Sequence, residues 1–284
     1  MSSLSAIIER IVAGRWIAGE QIDDALREAK RFNAAGIRAI INELGEDYTD
    51  IKSVSKSVHI FERLISRIHS EHILADVSVK PTQLGLLISK KLFEENLRQL
   101  SSYANSVGIF LWVDMEDKPT VEDTIDVFFK IAPRRKIGLC IQSYMKRSMS
   151  DIRRLVKAGF VVRLVKGAYS LSDETYSTRR EITENYLRLM LYLFRNLPEF
   201  TIATHDLGII EKALKLNLRY KRKVTYAMLK GVRNRYLRLL SEKGEHVSVY
   251  IPFGREWVAY SYRRLREAGH MSLILKSIFE KQGI

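Results

Sequence analysis

The chain of 284 residues has a single cysteine, Cys140, so it closes no internal disulfide, builds no four-cysteine zinc site and fits a reducing compartment. The thiol lies in the apolar run GLCI and reads as core rather than as a nucleophile. Proline (5) and glycine (15) are scarce, which excludes collagen-like, linker-rich and low-complexity architectures. No uncharged apolar run reaches the roughly 18 residues of a membrane-spanning helix, so any membrane contact is expected to be peripheral. The opening MSSLSAIIERIVAGRW is interrupted by Glu9 and Arg10, and no secretory signal is expected from it. The G-x-G-x-x-G fingerprint of an open dinucleotide-binding sheet is also missing.

What is present is 46% hydrophobic and 28% charged residues, enough for the core of one barrel-sized domain. Lys and Arg number 47 against 33 Asp and Glu, a formal charge of +14. Between positions 209 and 240 stand ten Lys/Arg and one acid, Glu211. Such a surface suits nucleic acid, an anionic leaflet or water, and charge alone does not choose among them.

Eight short apolar or β-branched runs recur between amphipathic stretches, at 37–45, 73–80, 108–115, 136–143, 160–169, 200–206, 223–231 and 246–254. Strands separated by helices pair in parallel, and eight such units in about 250 residues predict a closed α/β (β/α)8 barrel. The first 34 residues read as one or two added helices, with IDDALREAKRFNAAG an amphipathic example. MSLILKSIFEKQ reads as a short closing helix. The expected organisation is therefore 1–34 as N-terminal helices and 35–284 as the barrel.

Barrel chemistry collects at the carboxyl ends of the strands. Read that way, the runs supply a polar ring: Glu46, Lys80, Asp114, Gln142, Arg163 with Lys166, Thr204 with His205 and Asp206, and Tyr250. Arg163 and Lys166 lie within apolar strand sequence with no obvious acidic neighbour. They call for an anionic partner, either a ligand or a carboxylate on another strand. In REWVAYSYRRLREAG, helical spacing would put Tyr260, Arg263, Arg264 and Glu267 near one face, with two guanidinium forks suited to a carboxylate. An ordinary exposed helix would carry the same arginines. His69 and His72 in HSEH have ligand spacing but no evident third donor, and no metal site is expected.

NELGE at 42–46, SVKPTQLG at 78–85, VDME at 113–116, IQSY at 141–144, RLVKGAY at 163–169, ATHD at 203–206, AMLKG at 227–231 and YIPFG followed by YSYRRLRE together resemble the single-function proline dehydrogenases. The resemblance runs through nearly the whole chain. Ser170 departs from a tryptophan found in some members, and Lys230 from a position often aromatic or histidine.

The resemblance implies FAD bound at the carboxyl end of the barrel by Gln142, Arg163, Val165, Lys166, Gly167, Thr204 and His205, with Met115 beside it and Glu267 on the cofactor side. It implies L-proline held through its carboxylate by Lys80, Arg263 and Arg264, packed by Tyr250 and Tyr260, with Asp114 as orienter or base. The implied reaction moves a hydride from proline C5 to flavin N5 and gives Δ1-pyrroline-5-carboxylate. A quinone then takes the electrons, which gives the positive charge a use at the inner face of a membrane from the cytoplasm, with no nucleic-acid partner. A Glu46–Arg263 ion pair is expected to gate the site. Two further readings are a Schiff-base aldolase using Lys166 and a basic nucleic-acid-binding protein.

Overall fold

The computed structural model describes residues 14–132, 136–167, 169 and 171–257. Helix α1 (Ile22–Asn33) leads into β1 (Arg38–Glu43), followed by α2 (Ile51–Ser70), β2 (Ala75–Val79), a 3-10 turn (Thr82–Leu84), α3 (Lys90–Ser106) and β3 (Leu111–Val113). Then come α4 (Lys118–Ile131), β4 (Ile137–Gln142), α5 (Ser148–Lys157), β5 (Val161–Val165) and α6 (Arg179–Asn196). The described part closes with β6 (Glu199–Ala203), α7 (Leu207–Tyr220), β7 (Lys223–Leu229), α8 (Asn234–Glu242) and β8 (His246–Phe253). All eight expected strands are present, and they pair in sequence order, all parallel, into a closed barrel sealed by β1 against β8.

Local sequence sets the helix starts. Asp50 caps α2 by accepting from Ser53 N at 2.8 Å. Thr178 and Glu181 form a reciprocal capping box at α6, and Asp206 accepts from Gly208 N and Ile209 N to open α7. Because successive strand residues face opposite sides, Ile41, Val77, Val113, Leu139, Leu164 and Val249 pack outward against the helices. Helix α6 buries Tyr186, Leu189, Met190, Leu193 and Phe194 there, each large apolar side chain contributing about 1.5–3 kcal/mol. Tyr186 Oη also donates to Leu164 O at 2.9 Å, tying α6 to β5. Ala25, Leu26, Ala29 and Phe32 of α1 belong to this same core.

Inside the barrel a smaller cluster forms around Ile40, Trp112 and Ala227, with Tyr250 packed against it. A cleft of about 440 Å³ opens at the amino-terminal end of the strands, lined by Arg38, Asp76 and Trp112 among others. Trp112 donates to Asp76 at 3.2 Å and also lies under the Arg163 guanidinium, 4.9 Å from its ring centre. The indole thus stands between that cleft and the polar centre above it.

Candidate active site

Closure of the barrel brings Arg163, Asp114 and Tyr250 together, although they come from β5, the end of β3 and β8. Arg163 is 2% exposed and occupies the middle of β5 rather than its end. Its Nη2 donates to Asp114 Oδ1 and, at 2.9 Å, to Ser78 Oγ, while Nε reaches Cys140 Sγ. Tyr250 Oη donates to Asp114 Oδ2 at 2.9 Å. The guanidinium also lies 4.9 and 5.5 Å from the ring centres of Trp112 and Tyr250, a cation–π arrangement in a desolvated setting.

Burial opposes the charge on Asp114, but Arg163 and Lys80, with hydrogen bonds from Tyr250 and Ser78, outweigh it and hold its pKa below the usual carboxylate value. Asp114 is therefore an anion at neutral pH. Burial pushes the Cys140 thiol up to about 12, so it stays neutral, in keeping with its reading as core.

Lys80, one residue beyond β2, donates to Tyr169 Oη at 3.1 Å and lies 3.7 Å from Glu46 Oε2. Burial disfavours its ammonium, yet Tyr169, Glu116 and Asp114 raise its pKa above the ordinary lysine value. Glu116 is buried and accepts from both Thr82 N and Thr82 Oγ1 at 2.8 Å. Gln142 sends its amide N–H to Glu116 O at 2.8 Å, and buried Met115 lies next to that residue in the chain.

A second group lies at the ends of β5 and β6. Lys166 Nζ donates to Asp206 Oδ2 at 2.8 Å. Thr204 Oγ1 accepts from Asp206 N at 3.2 Å, and His205 Nε2 accepts from Leu229 N at 2.9 Å, which places the neutral ring's proton on Nδ1. The carbonyls of Val165 and Lys166 accept from Ser143 N and Tyr144 N. Gly167 follows with φ +104°, and a Cβ there would stand 2.3 Å from the Tyr144 ring.

Of the two kinds of anionic partner expected for Arg163 and Lys166, the structure supplies carboxylates on other strand ends, Asp114 beyond β3 and Asp206 beyond β6, across sequence gaps of 49 and 40 residues. Lys166 is also about 30% exposed and salt-bridged, so the desolvated environment that activates a Schiff-base lysine is missing. Tyr260, Arg263, Arg264, Glu267 and Ser170 lie outside the described residues. Among the described residues no group of three or more His, Cys, Asp or Glu gathers to hold a metal. Ser78, Trp112, Glu116 and Tyr169 join the site without having been singled out. Glu116 and Tyr169 lay in VDME and RLVKGAY, and the alternation of β2 puts Ser78 on the same face as Lys80.

Cations committed to carboxylates around a desolvated centre put this chain among the (β/α)8-barrel proteins that keep their chemistry at the carboxyl ends of the strands. The proline dehydrogenase family model matches residues 25–276, and the chain belongs to that family. It is 30% identical over 278 residues to proline dehydrogenase 1 of Bacillus subtilis, covering 96% of this chain and 92% of that one. It is 29% identical over 266 residues to the proline dehydrogenase of Deinococcus radiodurans, covering 90% and 86%. Among solved structures, proline utilization A from Bdellovibrio bacteriovorus inactivated by N-propargylglycine matches with a TM-score of 0.87 at 23% identity. That match covers 96% of this chain and 34% of the larger one, so the chain spans about a third of it. Proline utilization A from Corynebacterium freiburgense matches at 0.79 and 23%, over 97% and 33%. At these identities the structures share the fold.

Proposed function

We propose that the chain oxidises L-proline to Δ1-pyrroline-5-carboxylate and uses FAD to do so. The observation that carries this reading is Arg163 Nη1, a buried guanidinium nitrogen with no hydrogen-bond partner among the described residues. A buried donor left in that state is costly, and an acceptor-rich, electron-accepting ring beside it would satisfy the donor and gain from the positive charge. The residues therefore fit the group. FAD, when bound, supplies the acceptor for the two electrons and the hydrogen that leave proline C5.

The chain's own side chains do the rest. Arg163 offers its remaining N–H groups to the flavin, with Gln142, Val165, Lys166, Gly167, Thr204, His205, Met115 and Glu267 completing the cradle. Lys80, charged and only partly exposed, takes the proline carboxylate with Arg263 and Arg264, and Tyr250 and Tyr260 pack against the substrate ring. Asp114 orients rather than accepts a proton, because its charge is committed to Arg163 and its second oxygen to the Tyr250 hydroxyl. Glu46, close to Lys80, pairs with Arg263 to close the site and exclude water. The catalytic unit is taken as 35–284, preceded by 1–34.

The electrons then pass to a quinone. Among the described residues no helix is long and apolar enough to cross a membrane. The +14 charge suits peripheral contact with an anionic leaflet from the cytoplasm, each basic side chain near it contributing about 1 kcal/mol. The test is a yellow protein that releases FAD on denaturation, with Arg163→Ala impairing flavin reduction by proline. A colourless protein that neither binds added FAD nor oxidises proline would overturn the reading.

A further inference from the structure

Lys230, one residue past β7, is 5% exposed, and neither the fold nor the proposed chemistry uses it. Its Nζ lies 3.2, 3.0 and 3.3 Å from the carbonyl oxygens of Gly14, Arg15 and Ile17, with Glu28 Oε2 at 3.8 Å. An ammonium has three N–H groups, and here three carbonyls receive them. Residues 14–16 are helical, so these are carbonyls at a helix end, which lack intrahelical partners and favour a cation. The next residue, Gly231, has φ +78°, and a Cβ there would come within 2.1 Å of Arg15 O. Sequence at 230–231 is thus shaped to receive the chain at 14–17.

That strap rests on the rim of the site. Ala18 N donates to Pro252 O and Gly254 N to Gly19 O, both at 2.9 Å, joining the strap to the end of β8. Trp16 and Ile17 form a separate apolar cluster with Leu44 and Val232, and Trp257 packs on it. Lys230 N itself donates to Tyr250 O at 2.9 Å, so the anchor lies directly beside the residue that holds Asp114.

We infer that Lys230 is a positioning residue: by gripping the carbonyls of residues 14–17 it holds the strap against the end of β8, beside Tyr250, and so sets the affinity of the site for proline. The inference rests on the proline-oxidising reading for its substrate. An apolar side chain would fill the same space without desolvating a charge, but only an ammonium satisfies three converging carbonyls from one point.

The test compares FAD-loaded wild type with Lys230→Met by three readouts: trypsin cleavage after Arg15, flavin content, and KM and kcat for proline. The expected result is faster cleavage and a KM raised about ten-fold, with kcat and flavin content held, as for lost substrate positioning. Faster cleavage with an unchanged KM would overturn the positioning role, and unchanged cleavage would overturn the anchor. If Lys230→Met fails to retain flavin, Trp16→Ala loosens the same strap with Lys230 intact and must raise KM in the same way; an unchanged KM there also overturns the inference. A wild type that does not oxidise proline would sink the functional reading instead, leaving Arg15 cleavage to decide whether Lys230 holds the strap.

Discussion

Replacing Asp114 by Asn should destabilise the protein by about 3–5 kcal/mol, because it removes one partner of a buried ion pair and leaves the other charge uncompensated. The side chains of Arg163 and Asp114 are 3% and 13% exposed, so solvent does little to screen the loss. Two unit charges 4 Å apart interact by about 4 kcal/mol at an effective dielectric of 20, which agrees with that range. Asp114 accepts at both oxygens, from Arg163 and Ser78 at one and from Tyr250 at the other. Asparagine offers a single acceptor. Arg163 can only donate, so the amide nitrogen must turn toward Tyr250 and reverse that hydrogen bond.

The assay is urea unfolding of the flavin-saturated protein at neutral pH, followed by far-ultraviolet circular dichroism. Since the folded pKa of Asp114 is lowered, its stabilisation is full above the unfolded value of about 3.9 and fades as pH falls through the folded one, so the gap between wild type and variant narrows in acid. Arg163→Met should cost a comparable amount, and the double variant less than the two losses combined. Single losses under about 1 kcal/mol that simply add would refute the idea that this pair organises the centre.

Glu43, buried at the end of β1, has its pKa pushed up to about 7 by burial, partly opposed by the Ser57 hydrogen bond. The folded state holds that proton where the unfolded state has lost it, so stability falls as pH rises from about 4.5 to 7. Glu43→Gln should therefore gain up to about 3 kcal/mol at pH 8 and nothing below pH 4.5, read from urea midpoints; a gain independent of pH would refute the assignment. Gly167→Ala forces a side chain into φ +104° against Tyr144 and should cost about 1–3 kcal/mol and loosen flavin retention, unless unfolding and flavin affinity prove unchanged. Arg264→Ala and Arg263→Ala should each remove about 2–5 kcal/mol from kcat/KM with flavin content intact; unchanged values in both would make that segment structural only. Glu46→Ala should slow flavin reduction more than it weakens flavin binding, and its effect should be less than additive with Arg263→Ala.

The barrel was legible in the sequence because each strand carries its own apolar run and each run is separated from the next by a helical period. The strand-end positions of Lys80, Asp114 and Gln142 followed from the same alternation. What could not be read was which charge meets which. Arg163 finds Asp114 49 residues away, and Tyr250 finds Asp114 from 136 residues away, distances that only barrel closure collapses. For the same reason the sequence left open whether the anionic partner of each strand cation is a ligand or a carboxylate on another strand. Lys230 read only as a departure from a position often aromatic or histidine, and its partners, carbonyls more than 200 positions earlier in the chain, were beyond the reach of local sequence.

The central claim is that the desolvated Arg163–Asp114–Tyr250 centre serves a flavin and proline. Anaerobic mixing of the purified, FAD-loaded protein with L-proline, followed by absorbance, tests it most directly. The account predicts that the oxidised-flavin band bleaches with saturable dependence on proline, and that Arg163→Ala slows the bleaching. A flavin band that proline leaves untouched, or a protein that takes up no flavin, would contradict it.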